Sequence, residues 1–177
     1  MNLIFKATLV AFALTVVNAC SSVTIDEYAD NKPLLVPEKF FDGQLSAHGI
    51  VKDHGGQVIR YFSAKIKAYW VDGIGTLDES FVFDDGEQQS RVWKLKPQSD
   101  GSYVATAGDV IGEGKMIAAG NSLFLDYVLR IPYGDSTIDL RIDDRMYLVS
   151  ERVLLNESVM TKWGFKVGQI TLVIEKE

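Results

Sequence analysis

The sequence predicts an all-β protein, an antiparallel up-and-down barrel with a β-sandwich as the alternative architecture. Three observations lead there. Apolar and polar residues alternate along most of the chain after Phe40. Turn residues (Gly, Asp, Asn and Pro) interrupt the alternation at short, regular spacing. No stretch of about a dozen residues carries a 3.6-residue apolar period. Many short strands with one apolar face must close on themselves or stack as two layers, and the meander-like connections between long strands favour closure.

Taken in order, the chain opens with Met1-Asn2-Leu3-Ile4-Phe5-Lys6, carrying one positive charge, followed by an apolar run from Ala7 to Val17. A bilayer span needs about 20 apolar residues, so this run suits a signal-peptide core rather than a membrane helix. It ends in Val17-Asn18-Ala19-Cys20, an aliphatic residue, a tolerated one, a small one and the only cysteine of the chain. That is the pattern of a lipoprotein signal, which predicts cleavage before Cys20 and acylation of its thiol. Each buried CH₂ of an acyl chain contributes about 0.8 kcal/mol, so several chains together would anchor the protein to a membrane. Ser21 is not the aspartate that favours inner-membrane retention in Gram-negative cells, so the expected location is the outer membrane, with the domain facing the periplasm. The expected organisation is therefore a signal peptide over 1–19, a lipidated tether over 20–37 and one β-barrel domain over 38–177.

The strand candidates follow. Gln57 to Trp70 puts Phe62, Ala64, Ile66, Ala68 and Trp70 on one face. Gly75 to Phe83, the turn Asp84-Asp85-Gly86 and Ser90 to Lys96 form the clearest hairpin, since Asp-Gly supplies the positive backbone angles of a tight turn. After Pro97-Gln98-Ser99-Asp100-Gly101 come Ser102–Ala107, Asn121–Ile131, Thr137–Ile142, Arg145–Ser150, Val153–Met160 and Lys166–Glu175. The expected total is about eight to ten strands. The glycines of Gly108-Asp109-Val110-Ile111-Gly112-Glu113-Gly114 read as bulges or bends that curve the sheet.

Composition narrows the function. The net charge is −6, and loss of Lys6 with the signal makes it −7. Nucleic acid and anionic lipid head groups favour basic partners, so neither is expected, and membrane attachment rests on the lipid at Cys20. A single cysteine excludes an internal disulfide. His48 and His54 lack metal-ligand spacing, and the serines lack a nucleophile elbow, so no metal, cofactor or catalytic constellation is predicted.

The hairpin carries the candidate site. Leu77, Glu79, Phe81 and Phe83 share one face, and Arg91, Trp93 and Leu95 share the facing one. A three-residue turn places Glu79 opposite Arg91, where a carboxylate in an apolar interior needs a partner. A buried ion pair that fixes strand register is the commoner role for such residues. The alternative is an anchor for a ligand's polar head, with Phe81, Trp93 and Tyr127 as apolar lining. Asp139, Arg141, Asp143, Asp144 and Arg145 read as a hydrated turn with local salt bridges rather than as a cation site. The aromatics Tyr61, Phe62, Trp70, Phe81, Phe83, Trp93, Phe124 and Tyr127 either fill the barrel or line a pocket in it.

Several segments, in this order, resemble the bacterial lipoprotein family called domain of unknown function 3833. They are Phe40-Phe41-Asp42-Gly43, Leu77-Asp78-Glu79-Ser80-Phe81 with Asp85-Gly86 and Arg91-Val92-Trp93, and Gly108-Asp109-Val110-Ile111-Gly112. Later come Gly120-Asn121, Asp143-Asp144-Arg145-Met146-Tyr147 and Met160-Thr161-Lys162-Trp163-Gly164-Phe165. Arg145 stands where the family pattern has tryptophan, and Glu157 where it has arginine. The resemblance implies an envelope lipoprotein with a lipocalin-like β fold and brings no activity with it. Three functions follow as expectations, in this order: a barrel that binds a lipid or other apolar small molecule, a structural or interaction lipoprotein with a filled barrel, and an enzyme on envelope lipid using Glu79, Asp109 or Asp143.

Overall fold

The computed structural model describes residues 23–177, so Cys20 and the signal sequence lie outside the described residues. Ten antiparallel strands form one closed barrel: β1 (Gly43–Asp53), β2 (Val58–Val71), β3 (Ile74–Phe83), β4 (Gln88–Pro97), β5 (Tyr103–Thr106), β6 (Gly114–Ala119), β7 (Ser122–Tyr133), β8 (Ser136–Ser150), β9 (Val153–Lys162) and β10 (Phe165–Lys176). Each strand pairs with its sequence neighbours, and β1 closes the ring against β10. Closure removes the unpaired edges that an open sheet would expose.

Alternation decides which side chains enter the barrel. Ile66 and Ala68 of β2, Leu123 and Leu125 of β7, Leu140 and Ile142 of β8 and Leu154 of β9 are all buried. One end is plugged by a helical turn, Pro37–Phe40, whose Phe40 and the following Phe41 are buried with rings at 5.2 Å. The indole of Trp70 donates to the Phe41 carbonyl at 2.9 Å and fixes the plug to β2. The hairpin tips at the opposite end carry exposed aromatics, including Trp163 at 87% and Phe165 at 76% exposure.

Four expectations are corrected. Strand β1 and strand β6 are not anticipated, because each has one large inward residue, Leu45 or Met116, beside small ones, Ala47 and Gly49 or Gly114 and Ala118, which weakens the apolar alternation. Thr137–Ile142 and Arg145–Ser150 are one strand, β8: Asp143 pairs with Asp126 and Val159, and Asp144 with Leu125 and Ser158, leaving no turn between them. The glycine-rich stretch after β5 does not curve a strand. It is a loop along the β7 edge, where Ile111 N–H donates to Val128 and Arg130 N–H to Asp109, each at 2.8 Å. Finally, the segment expected to be a stand-off tether packs on the barrel from Ile25 onward. Leu35 is buried, and Tyr28 sits edge-on to Phe124 at 5.7 Å. Gly120, with φ +55°, permits this approach, since a Cβ there would lie 1.7 Å from the Tyr28 carbonyl oxygen.

Candidate functional site

A cavity of about 140 Å³ runs through the barrel interior, from Phe41 at the plugged end to Phe62, Phe81 and Ile170 on the other side. All five residues marked by the sequence line it: Glu79 and Phe81 from β3, Arg91 and Trp93 from β4, and Tyr127 from β7. The β3–β4 turn sets this arrangement, since Phe83 N–H donates to the Glu87 carbonyl across Asp84-Asp85-Gly86 and Glu79 falls opposite Arg91. Trp93 meets Tyr127 edge-on at 5.1 Å across the interior. Of the other aromatics named, Tyr61 points outward and is 56% exposed. Phe124 lies on the outer wall, under Tyr28 and the Arg145 guanidinium, the latter 3.9 Å from its ring.

The charge pairing differs from the expected one. Arg91 does not pair with Glu79. Its Nε donates to both carboxylate oxygens of Asp109, at 3.1 and 2.9 Å, and its Nη2 lies 2.8 Å from Oδ2. Asp109 reaches it because β5 is only four residues long, so the following loop occupies the space beside β4 that a longer strand would fill. Glu79 is left buried, at 9% exposure, approached by the indole of Trp93. Burial pushes its carboxyl up to about 7. Arg91 opposes that shift, and the nearby Asp144 and Asp109 add to it.

Asp144, expected in a hydrated turn, instead lines the cavity together with its neighbours Asn156 and Ser158. The charged run to which Asp144 belongs splits by alternation. Asp139 pairs with Arg130 at 2.8 Å, Arg141 with Asp126 at 3.0 Å and Arg145 with Asp143, all on the outer wall. Asp144 alone turns inward and is 6% exposed. Burial raises its carboxyl to about 6, against the hydroxyls of Ser158 and Tyr127, the Asn156 amide and the Arg91 charge, which favour the ionised form. Asn156 leans toward Asp144 without completing a hydrogen bond, its Oδ1 accepting from Ser158 Oγ at 3.1 Å. Asp144 Oδ1 and Asn156 Nδ2 therefore both lack a partner in the interior, which buried polar atoms rarely do. The signal was present in the sequence, since Ile142, Asp144, Met146 and Leu148 alternate on one face. Reading a turn at Asp143-Asp144 concealed it.

The chemistry of the site is that of an apolar chamber holding two buried carboxyls, Glu79 from β3 and Asp144 from β8. Among the described residues, no group of three or more His, Cys, Asp or Glu side chains could hold a metal ion. A family model described as "Protein of unknown function (DUF3833)" matches residues 14–176.

The chain belongs to this family.

No curated protein sequence matches it. Among solved structures, this DUF3833 chain is similar to the S-type phycobiliprotein lyase CPES from Guillardia theta, with 10% identity, a TM-score of 0.57 and coverage of 81% of this chain and 94% of that one. It also matches Odorant Binding Protein OBP1 at 12% identity, over 82% of this chain and 77% of that one, with a TM-score of 0.36. At such low identity the likeness to the lyase shows the fold, a lipocalin-like closed barrel, and leaves the function to the site itself.

Proposed function

We propose that the protein is a carrier that holds a small apolar molecule, or the apolar part of a larger one, inside its barrel. We further propose that acyl chains on Cys20 keep it at the outer membrane, with the barrel in the periplasm. The cavity is the observation that carries the first reading. Leaving about 140 Å³ unfilled forgoes on the order of 3 kcal/mol of packing, which a barrel built only for stability would recover with larger side chains. The two buried carboxyls add to that cost, and perturbed acids in an apolar cavity are characteristic of binding and active sites.

The size of the cavity limits its occupant. A chamber of this volume suits a group the size of one six-membered ring, whereas drug-sized ligands occupy roughly 300–1,000 Å³. A long acyl chain would have to extend past Phe62 and Phe81. The filled-barrel reading is disfavoured by the same cavity. An enzymatic reading has little support, because Asp109 is held by Arg91 and Asp143 by Arg145 on the outer wall, leaving only Glu79 of the three acids suggested.

The test uses the chain from Ser21 onward, which contains every described strand and the plug, purified without detergent. Its organic extract is analysed by mass spectrometry, and an environment-sensitive apolar dye is titrated into the extracted and refolded protein. One apolar molecule per chain, or one saturable dye site weakened in Glu79→Gln/Arg91→Met, is expected. A folded protein with neither would point to a structural barrel. For the anchor, radiolabelled palmitate should enter the full-length protein in cells and be lost in Cys20→Ala.

A further inference from the structure

The balance of charge inside the cavity bears on what sort of molecule it takes. Three carboxyls face this space or its wall, Glu79, Asp144 and Asp109, against one guanidinium, Arg91. Asp109 already takes the Nε and Nη2 of Arg91 and offsets its charge. An anionic head group, such as a fatty-acid carboxylate, would meet a guanidinium whose charge Asp109 already offsets, with two buried carboxyls beside it. Burying another negative charge under those conditions is strongly unfavourable.

The unsatisfied atoms point the same way. Asp144 Oδ1 is an acceptor without a donor, on a side chain more than nine-tenths buried and lining the cavity. A donor arriving with the ligand would complete it. Asn156 Nδ2 also lacks a partner, so a hydroxyl could serve both atoms. Charge separates these two cases. A hydroxyl leaves both carboxyls uncompensated, so they must keep their protons or be buried as anions. A cation offsets one of them, and a charge-assisted hydrogen bond is roughly twice as strong as a neutral one.

Resting on the carrier reading, we infer that the molecule held is an apolar amine, its protonated nitrogen donating to Asp144 with Glu79 close enough to add to the attraction. The apolar remainder lies along Ile66, Leu125, Met146 and Leu172. The groups that face Asp144 are Tyr127 from β7, Ser158 and Asn156 from β9, Arg91 from β4 and Glu79 from β3, and only Arg91 among them is a cation.

Three probes with the same ring and different heads test this: benzylamine, benzyl alcohol and benzoate, with toluene as the headless reference. They are titrated calorimetrically into the full chain in mild detergent at pH 7.5. Benzylamine should bind at least about tenfold more tightly than benzyl alcohol, the scale of one hydrogen bond to a charged group, and benzoate should not bind. Between pH 5 and 8 the amine's affinity should rise as Asp144 and Glu79 lose their protons, while that of the alcohol stays level. Asp144→Asn should weaken benzylamine by at least about tenfold. Glu79→Gln, which keeps Asp144 intact, should weaken it less, with folding of both variants checked by thermal melting. If toluene and benzyl alcohol bind but benzylamine binds no better, or if benzoate binds best, the amine inference fails and the carrier reading stands. If a folded protein binds none of the four, both fail.

Discussion

Glu79 and Asp144 are held in the barrel under conditions that make their ionisation costly, and this fixes a sign for the pH dependence of stability. Their carboxyls are raised to about 7 and about 6, from 4.5 and 3.8 in the unfolded chain. The folded protein therefore binds protons that the unfolded chain has already released. Stability contributed by these groups is full below the unfolded values, falls as pH rises through the window up to about 7, and then levels off. The loss is on the order of 3 kcal/mol for Glu79. Asp85, held low first by the Glu87 backbone N–H and then by Arg60, and Asp139, held low by Arg130, titrate below this window and do not mask it. Denaturant unfolding should find the protein less stable at pH 8 than at pH 5, and Glu79→Gln should flatten the difference. Equal stability at both pH values would mean that both carboxyls are solvated in solution. At this scale the sequence was partly legible. Alternation and turn length located Glu79 opposite Arg91, but the partner of Arg91 comes from a loop eighteen residues away, and no local pattern announces it.

Strands read well where inward residues are large and poorly where they are small, and β1 illustrates why small ones are there. Gly49 faces inward, and a Cβ at that position would lie 2.4 Å from Phe62 Cζ and 2.7 Å from Leu172 Cβ. The missing side chain is what lets the Phe62 ring cross the space between β2 and β10. Phe62 in turn packs at 5.9 Å from Phe81, one of the cavity-lining residues. Gly49→Ala should therefore destabilise the protein by about 1–3 kcal/mol, the usual cost of overpacking a filled position. Chemical denaturation measures it, and a loss below roughly half a kcal/mol would mean that Phe62 relaxes freely. Strand β8 teaches the complementary lesson. Two adjacent aspartates resemble a turn because such residues are depleted in strands, yet Asp143 faces Arg145 outside and Asp144 faces the chamber inside. Local propensity was overridden by tertiary partners on both sides of the wall. The Asp84-Asp85-Gly86 turn needed no such help, because Gly86 takes φ +84° by itself.

Over the whole molecule, the ring of ten strands makes an interior that one end seals and the cavity keeps from filling. Phe41 belongs to both features, buried in the plug and lining the cavity. Phe41→Ala should cost about 3–5 kcal/mol while enlarging the chamber toward that end. The check pairs a thermal melt with titration of longer apolar amines, which should gain affinity relative to benzylamine. A melt shifted with no change in preference for length would mean that the plug collapses into the space instead. The all-β class, most of the strands, the meander order and the inward positions of Glu79, Phe81, Arg91, Trp93 and Tyr127 are legible in the chain alone. These follow from two-residue alternation and turn chemistry, which are local and written in consecutive residues. The folded barrel alone reveals that the ring closes through β1 and β10, that residues from Ile25 onward pack on its wall, and that Arg91 binds Asp109. It also brings Asp144, Asn156 and Ser158 together with Glu79 around unfilled space. Those outcomes depend on which distant side chains meet once the ring closes, and on how much of the enclosed volume they leave empty.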